Sequence, residues 1–140
     1  MTLYECVTYF KNIARKQPNV RSAWDGDIYG LLNSNPSIKY ATFVISQTTH
    51  REQDNFSYYG FNLFYVDRLD ETLEDNRLQV QSIGKEVISN IIKTFEELYD
   101  GEAVSIVYHP FTEKFPDLCA GQYATIEIEV LNDSICSEEY

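Results

Sequence analysis

The fold is decided by residues 80–98, which read VQSIGKEVISNIIKTFEEL. Apolar side chains recur there every three or four residues, as they do on the buried face of an α-helix. The pattern predicts one long amphipathic helix with the apolar positions Val80, Ile83, Gly84, Val87, Ile88, Ile91, Ile92, Phe95 and Leu98. We expect this helix to begin near Thr72 and to end before Asp100, with Gly101 as its C-cap. Gly84 has no side chain, so it allows another element to approach the buried face closely.

Two pairs of strands flank the long helix. Residues 38–48 and 56–66 are rich in β-branched and aromatic side chains, and the polar link between them predicts an antiparallel hairpin. Residues 103–111 and 122–131 form a second pair, and Pro110 is expected to end the first of these strands. The second strand alternates apolar and polar residues, which predicts that its apolar positions face the core: Ala124, Ile126, Ile128 and Val130.

A shorter helix opens the chain. Apolar residues from Leu3 to Ala14 follow helical spacing, and Thr2 and Glu5 have the spacing of a capping box. Residues 17–37 are rich in turn-forming residues, so we expect an irregular loop there. Such a loop is longer than most connections between elements, which indicates that it is functional or packed on another surface.

The order of elements is α-ββ-α-ββ, which predicts an α+β fold. In that fold two β-hairpins form one antiparallel sheet, and the long helix packs on one of its faces. Residues 1–131 make a single domain, and the acidic segment 132–140 is expected to be a flexible tail. The other sheet face is left open, with Tyr58, Phe64 and Tyr108 as the aromatic side chains expected on it.

Charge and length exclude several classes of function. The chain has 140 residues and a formal net charge of −11, so it repels phosphate backbones and is not expected to bind nucleic acid specifically. No stretch reaches the roughly 20 apolar residues that cross a bilayer, so no membrane contact is expected. The first residues lack a basic and an apolar signal region, which argues against secretion. The 11 tyrosines are typical either of an aromatic-rich sheet or of surfaces that bury each other.

Residues with catalytic chemistry are sparse and poorly spaced. The three cysteines include no close pair, which fits free thiols in a reducing compartment. Cys119 and His109 are a conceivable nucleophile and base, although nothing in their spacing supports the pair. Glu127 and Glu129 share one strand face about 7 Å apart, as in a carboxylate pair, but such a pair usually serves to keep a sheet soluble.

Metal-binding patterns are equally weak. His50, Glu52 and Asp54 alternate on a short link but lack a second ligand cluster. Asp25-Gly26-Asp27 resembles the start of a calcium loop without its later ligands. The sequence therefore predicts no enzyme, no metal site and no cofactor.

One stretch resembles a known group of proteins. Residues 64–69, Phe-Tyr-Val-Asp-Arg-Leu, end a strand, and after a polar link Gln81-Ser82-Ile83-Gly84 opens an Ile-rich helix. This sequence pattern within residues 61–95 resembles that of neck and tail proteins of crAss-like bacteriophages. The order of elements over most of the chain is similar to that of the tail-terminator and tail-completion family of tailed phages.

The resemblance implies a non-enzymatic virion protein. Members form a six-fold or twelve-fold ring between portal and tail, so the implied partners are copies of the same chain and other neck, portal or tail proteins. The implied location is the virion neck or tail, after assembly in the host cytoplasm. Candidate subunit contacts, chosen because they lie in the long loop, the basic helix face or the acidic helix entry, are Trp24, Asp25, Asp27, Tyr29, Lys11, Arg15, Asp67, Arg68 and Asp70.

Two alternatives stay open at this point. The first is a free-standing α+β adaptor that binds another protein through the open sheet face. The second is a small hydrolase or metal-dependent enzyme built on Cys119, His109 or the link around His50.

Overall fold

The computed structural model describes residues 1–70, 72, 76–115 and 117–132. In these residues it has an α+β fold with three helices and one five-stranded sheet. The elements in chain order are α1 (Leu3–Arg15), β1 (Ser22–Asp25), α2 (Ile28–Ser34), β2 (Thr42–Gln53), β3 (Phe56–Arg68), α3 (Asn76–Leu98), β4 (Gly101–Lys114) and β5 (Leu118–Leu131). The strands lie side by side in the order β1-β2-β3-β5-β4. Of the predicted acidic tail, residues 133–140 lie outside this description.

The sheet is mixed, because β1 runs parallel to β2 while every other neighbouring pair is antiparallel. The prediction of a purely antiparallel sheet is therefore wrong at this edge. The prediction of an irregular loop over 17–37 is also wrong, since β1 and α2 lie within it. These two elements have four and seven residues, too few to show a clear period. Asp27 caps α2 by accepting a hydrogen bond from the Gly30 N–H at 2.8 Å.

Both predicted hairpins are present; three strands are longer than expected, while β2 starts at Thr42 rather than at residue 38 and continues to Gln53. The β2–β3 turn consists of Asp54 and Asn55 alone, with φ values of 53° and 76°. Two-residue hairpin turns need positive φ, which these residue types tolerate. The prediction that Pro110 ends its strand is wrong, because β4 continues to Lys114. Proline lacks only the N–H donor, and an edge strand such as β4 has a side that needs none.

The main core lies between the sheet and the two longer helices. Phe10 of α1 stacks on Phe95 of α3 with ring centroids 4.2 Å apart, and its edge meets Phe61 of β3 at 6.1 Å. The capping box of Thr2 and Glu5 is confirmed, as is the burial of the alternating apolar positions of β5. We call the sheet face beneath α1 and α3 the covered face.

Most of the predicted α3 stripe is buried, with two exceptions. Ile83 and Leu98 are exposed, so their predicted place on the buried face is wrong. Gln81 is buried instead, and its Nε2 donates to the Phe111 carbonyl at 3.1 Å, which gives the buried amide nitrogen an acceptor.

Two predicted glycine roles in α3 have different outcomes. The role of Gly84 is confirmed, because a Cβ there would come within 2.9 Å of the Tyr65 ring. Gly101 is not a helix cap but the first residue of β4, tight against Phe95. The described part of α3 begins at Asn76, and the acidic residues Glu71, Glu74 and Asp75 lie outside the described residues. The start near Thr72 therefore stays a prediction.

The opposite sheet face is only partly open. α2 covers one end of it through a second apolar cluster made of Ile28, Leu32, Val44, Val66, Phe115 and Cys119. Phe64 packs against this cluster, as predicted for the open face. Tyr108 does not lie there: it pairs with Ala124 on the covered face, and the Lys85 ammonium of α3 lies 5.8 Å from its ring.

Candidate subunit-interaction surface

β4 is a long edge strand with exposed apolar side chains. This 14-residue strand pairs with β5 on one side and with no strand on the other within the described residues. Val104, Ile106 and Val107 are 44%, 41% and 51% exposed. Natural sheets usually protect such an edge with charges or a covering element, because its free N–H and C=O groups pair readily with another chain. The β4 edge is therefore a candidate contact surface.

The exposure of these side chains follows from strand order. Ile106 lies directly opposite Ile126 of β5, and that isoleucine is buried under the helices. β4 lies one strand further out than β5, and there the helices no longer cover the same face of the sheet. Val107 lies opposite Thr125 on the other face, so β4 presents apolar side chains on both faces of the sheet.

The opposite edge of the sheet is different in chemistry. β1 pairs with Thr42–Ile45 alone, so within the described residues no strand pairs with the outer side of residues 47–53 of β2. All seven of these residues are polar and exposed. We call this stretch the outer half of β2.

A cleft of about 360 Å³ lies beside the outer half of β2, on the covered face. Its apolar wall comes from the first turns of α1, where Leu3, Tyr4 and Val7 line it. Ile45 and Gln47 of β2, with Asp25 and Gly26 at the end of β1, form the side toward the sheet. We call it the α1 cleft.

Six of the predicted contact residues lie in or next to α1, β1 and α2. Lys11 and Asp25 form an ion pair at 2.6 Å, so this lysine, expected to reach a neighbouring subunit, has a partner in its own chain. The Arg15 guanidinium donates to the Ala23 carbonyl at 3.3 Å. Asp27 caps α2, and the Tyr29 hydroxyl donates to Glu113 at 3.0 Å.

Trp24 belongs to this same group. Its ring packs against the second apolar cluster, and its indole N–H is buried with no hydrogen-bond partner among the described residues. A buried donor without an acceptor costs about 1–3 kcal/mol.

The other three predicted contact residues lie at the end of β3. Arg68 is placed over the Tyr40 ring at 5.2 Å and lies 3.9 Å from Asp117. Asp70 accepts hydrogen bonds from the backbone and side chain of Thr72. The nine residues thus lie in two stretches of the chain, residues 11–29 and 67–70, and their role as contacts stays a prediction.

Asp67 provides a test of pH dependence at this end of the sheet. Burial raises its pKa above the usual aspartate range, although the Arg68 N–H donates to it at 2.8 Å. A carboxyl with a raised pKa destabilises the folded state when it is ionised. The free energy of unfolding therefore falls as the pH rises through that pKa. We expect Asp67→Asn to stabilise the fold at pH 7 by under about 1 kcal/mol, since the site is half-exposed. In urea titrations the gain should vanish below the usual aspartate range; a gain that grows in acid would contradict this account.

The catalytic pair considered from the sequence is not brought together. Cys119 pairs with Glu113, whereas His109 pairs with Tyr123, four residues along β5 and about 14 Å away by the strand rise. Burial raises the pKa of the Cys119 thiol to about 11, which opposes formation of the nucleophilic thiolate.

The carboxylate pair on β5 is occupied by neighbouring side chains. Arg51 donates to both oxygens of Glu127, at 3.0 and 3.4 Å. A hydrogen bond with Glu129 raises the pKa of Tyr58, whose ring the Arg51 guanidinium covers at 4.0 Å. These contacts make a polar network across three strands of the open face.

The residues considered as metal ligands have other roles. His50 Nε2 lies 3.7 Å from a Glu52 oxygen, and Asp54 forms the hairpin turn. Among the described residues, no group of three or more His, Cys, Asp and Glu side chains is placed to hold a metal ion. None of the helices in that part of the chain combines the length and apolar character that a bilayer crossing requires.

A scan against protein-family models finds no match for this chain, and a search of curated proteins finds none either. Function is therefore inferred from the two sheet edges and their side chains. Sequence reasoning missed the β4 edge, although one signal was present: Pro110 within an apolar strand indicates an edge position.

Proposed function

We propose that this chain is a structural ring subunit of a phage head-to-tail connector or tail. The proposal rests on the β4 edge, where the side chains of Val104, Ile106 and Val107 are exposed to solvent. Contact with another chain would bury these side chains and satisfy the free backbone groups of the strand. In a permanent assembly, the neighbouring subunit would supply that contact.

A ring fits better than a two-fold dimer because the two sheet edges are unlike. One edge is long and apolar, and the other combines a polar strand with the α1 cleft. Contacts between unlike surfaces repeat from copy to copy, and they close into a ring when the rotation allows it.

The remaining parts of the proposal come from charge and from the resemblance within residues 61–95. A net charge of −11 would keep DNA from binding to the wall of the channel through such a ring. The resemblance supplies the place, which is the virion neck or tail, and the partners, which are portal and tail proteins.

A second candidate function is an adaptor that binds another protein through the open sheet face. A stack of aromatic side chains on that face favours it. The Tyr123 ring centroid lies 5.0 Å from that of Phe64 and 4.6 Å from that of His109, both in stacked geometry. These three side chains are half-buried, so part of each ring meets solvent. Half-exposed aromatic rings are common at protein interfaces.

Purified particles distinguish the two candidates. Phage particles made by cells that carry this sequence should be freed of soluble protein on a density gradient and analysed by quantitative mass spectrometry. A ring subunit is expected in the particles at a fixed ratio to the portal protein. Its absence from particles, with recovery in a soluble complex instead, would support the adaptor.

A further inference from the structure

We propose that α2 is a flap that opens while the main core stays folded, and that a hydrogen bond between Tyr29 and Glu113 is its latch. The flap consists of residues 27–35, which are α2 with its two caps. Its opening uncovers the second apolar cluster at one end of the open sheet face. This opening is a property of the single chain and does not depend on the proposed ring function.

The sheet separates the cluster beneath α2 from the main core. Neighbouring residues of one strand alternate between the two: Phe43 and Ile45 of β2 belong to the main core, whereas Val44 belongs to the second apolar cluster. Tyr65 and Val66 of β3 divide in the same way. Because α1 and α3 pack on the other face of the sheet, the lifting of α2 would leave their contacts in place.

Few side chains attach α2 to the sheet. Of its seven residues, Ile28 and Leu32 are buried, and the other five are exposed or half-buried. A helix of seven residues is not stable alone in water, so α2 forms only while these two side chains are packed. A segment with so little buried apolar surface is expected to open at a lower free energy than the core beneath it.

One hydrogen bond joins α2 to a strand among the described residues. The Tyr29 hydroxyl donates to a Glu113 carboxylate oxygen of β4 at 3.0 Å. The other hydrogen bonds of α2, such as that from the Gly30 N–H to Asp27, lie within the flap itself. Tyr29 is 50% exposed, so water can replace each partner when the bond breaks. This bond is therefore suited to hold the flap reversibly.

The flap is bounded by residues suited to a hinge. Gly26 has a φ of 130°, which residues with a side chain rarely adopt. Its N–H donates to the Ile45 carbonyl at 3.1 Å, and its carbonyl accepts from the Ser46 hydroxyl at 2.6 Å, so this end stays fixed to β2. At the other end Asn35 has extended backbone and precedes Pro36. Hinges are commonly a few such residues at the ends of elements.

Opening gives a partner to a donor that lacks one in the closed state. The Trp24 ring packs against the second apolar cluster, and its buried N–H has no acceptor among the described residues. Water would reach this N–H once α2 lifts from the cluster, so opening gains a hydrogen bond. That gain offsets part of the apolar burial that is lost with Ile28 and Leu32.

The first test compares the reactivity of two buried cysteines. Cys119 lies in the second apolar cluster and Cys6 in the main core, and both are 0% exposed. In a Cys136→Ser background, the rate at which each thiol reacts with a dipyridyl disulfide is divided by its rate in the urea-unfolded chain. Peptide mass spectrometry assigns the labelled residue. We expect Cys119 to be at least about 10-fold less protected than Cys6, because the flap covers Cys119 alone.

A substitution at the latch connects this reactivity to α2. Tyr29→Phe removes the hydroxyl and keeps the ring. Loss of one such hydrogen bond changes an equilibrium constant by a factor of roughly 3 to 10, so Cys119 should react faster by that factor while the rate of Cys6 stays the same. Tyr4→Phe is the matched control, because Tyr4 lies on α1, is 79% exposed and should alter neither rate.

The second test uses the fluorescence of Trp24, the single tryptophan of the chain. Leu32→Ala weakens the attachment of α2, so the emission of Trp24 should shift to longer wavelength and acrylamide should quench it more. Far-UV circular dichroism should show that the other elements stay folded. Ile88→Ala removes a similar volume from the main core, so it should lower the urea midpoint without changing the emission of the folded protein.

Each outcome supports or overturns the flap. Equal protection of Cys119 and Cys6, with the same dependence on urea, would mean that α2 opens only when the whole chain unfolds. Fast labelling of Cys119 that Tyr29→Phe does not change would place the opening elsewhere and overturn the latch. Unfolding of the whole chain by Leu32→Ala would make α2 part of the core. No readout requires a ring, so failure of the flap would leave the proposed ring standing.

Discussion

Replacing Gly121 with alanine is expected to destabilise the fold by about 3 kcal/mol or more. Gly121 lies in β5, opposite Val66 of the central strand β3. A Cβ there would overlap the Tyr65 carbonyl oxygen and lie 2.9 Å from the carbonyl carbon. The Phe111 ring would be 3.1 Å away on another side. Both strands are paired along their length, so the backbone has little freedom to move aside.

Urea unfolding followed by circular dichroism measures this effect. The control is Gly30→Ala in α2, where a Cβ would meet only the Asp27 side chain at 3.3 Å. That carboxylate caps α2 by accepting from the Gly30 N–H, so a shift can lose at most the roughly 1 kcal/mol of the cap, and the helix preference of alanine offsets part of this loss. The control should therefore cost less than about 1 kcal/mol. Equal midpoints for Gly121→Ala and the parent protein would show that the close approach of β5 to Tyr65 is wrong.

Phe10→Ala is expected to cost about 3–5 kcal/mol. Phe10 is fully buried and joins three elements, because its ring contacts Phe95 of α3 and Phe61 of β3. Truncation leaves a cavity between α1 and the rest of the core. We therefore expect α1 to detach before the rest of the fold unfolds. Amide hydrogen exchange would detect this as early exchange in residues 3–15.

Tyr4→Ala on the same helix is the control for Phe10→Ala. Tyr4 is 79% exposed, so its truncation should change the free energy of unfolding by less than about 0.5 kcal/mol in dilute solution. Similar losses in the two variants would mean that α1 is not anchored through Phe10.

The elements with strong periodicity were predictable from the sequence. α1, α3 and both hairpins follow apolar spacing, and the α1 start follows the capping residues Thr2 and Glu5. β1 and α2 were missed because four and seven residues hold too little of a pattern, and because their turn-forming neighbours suggest a loop.

The face of Tyr108 was mispredicted for a local reason. A β-bulge between Ala103 and Ser105 interrupts the register of β4, so strict alternation does not hold along the strand. Sequence alternation alone gives no sign of such a shift, and one extra residue turns every later side chain to the other face.

The β4 edge could not be located from hairpin pairs alone. Two hairpins in sequence do not say which strand lies outermost, and the exposure of Ile106 depends on that order. The α1 cleft depends on where α1 meets β2, which no local pattern encodes. Pro110 was the one local indication of an edge.

Native mass spectrometry of the purified protein tests the proposed ring most directly. We expect a closed species of six or twelve 16.3 kDa subunits, which Ile106→Lys converts to monomers. A monomer throughout the micromolar range, with no ring formed on addition of portal or tail proteins, would contradict it.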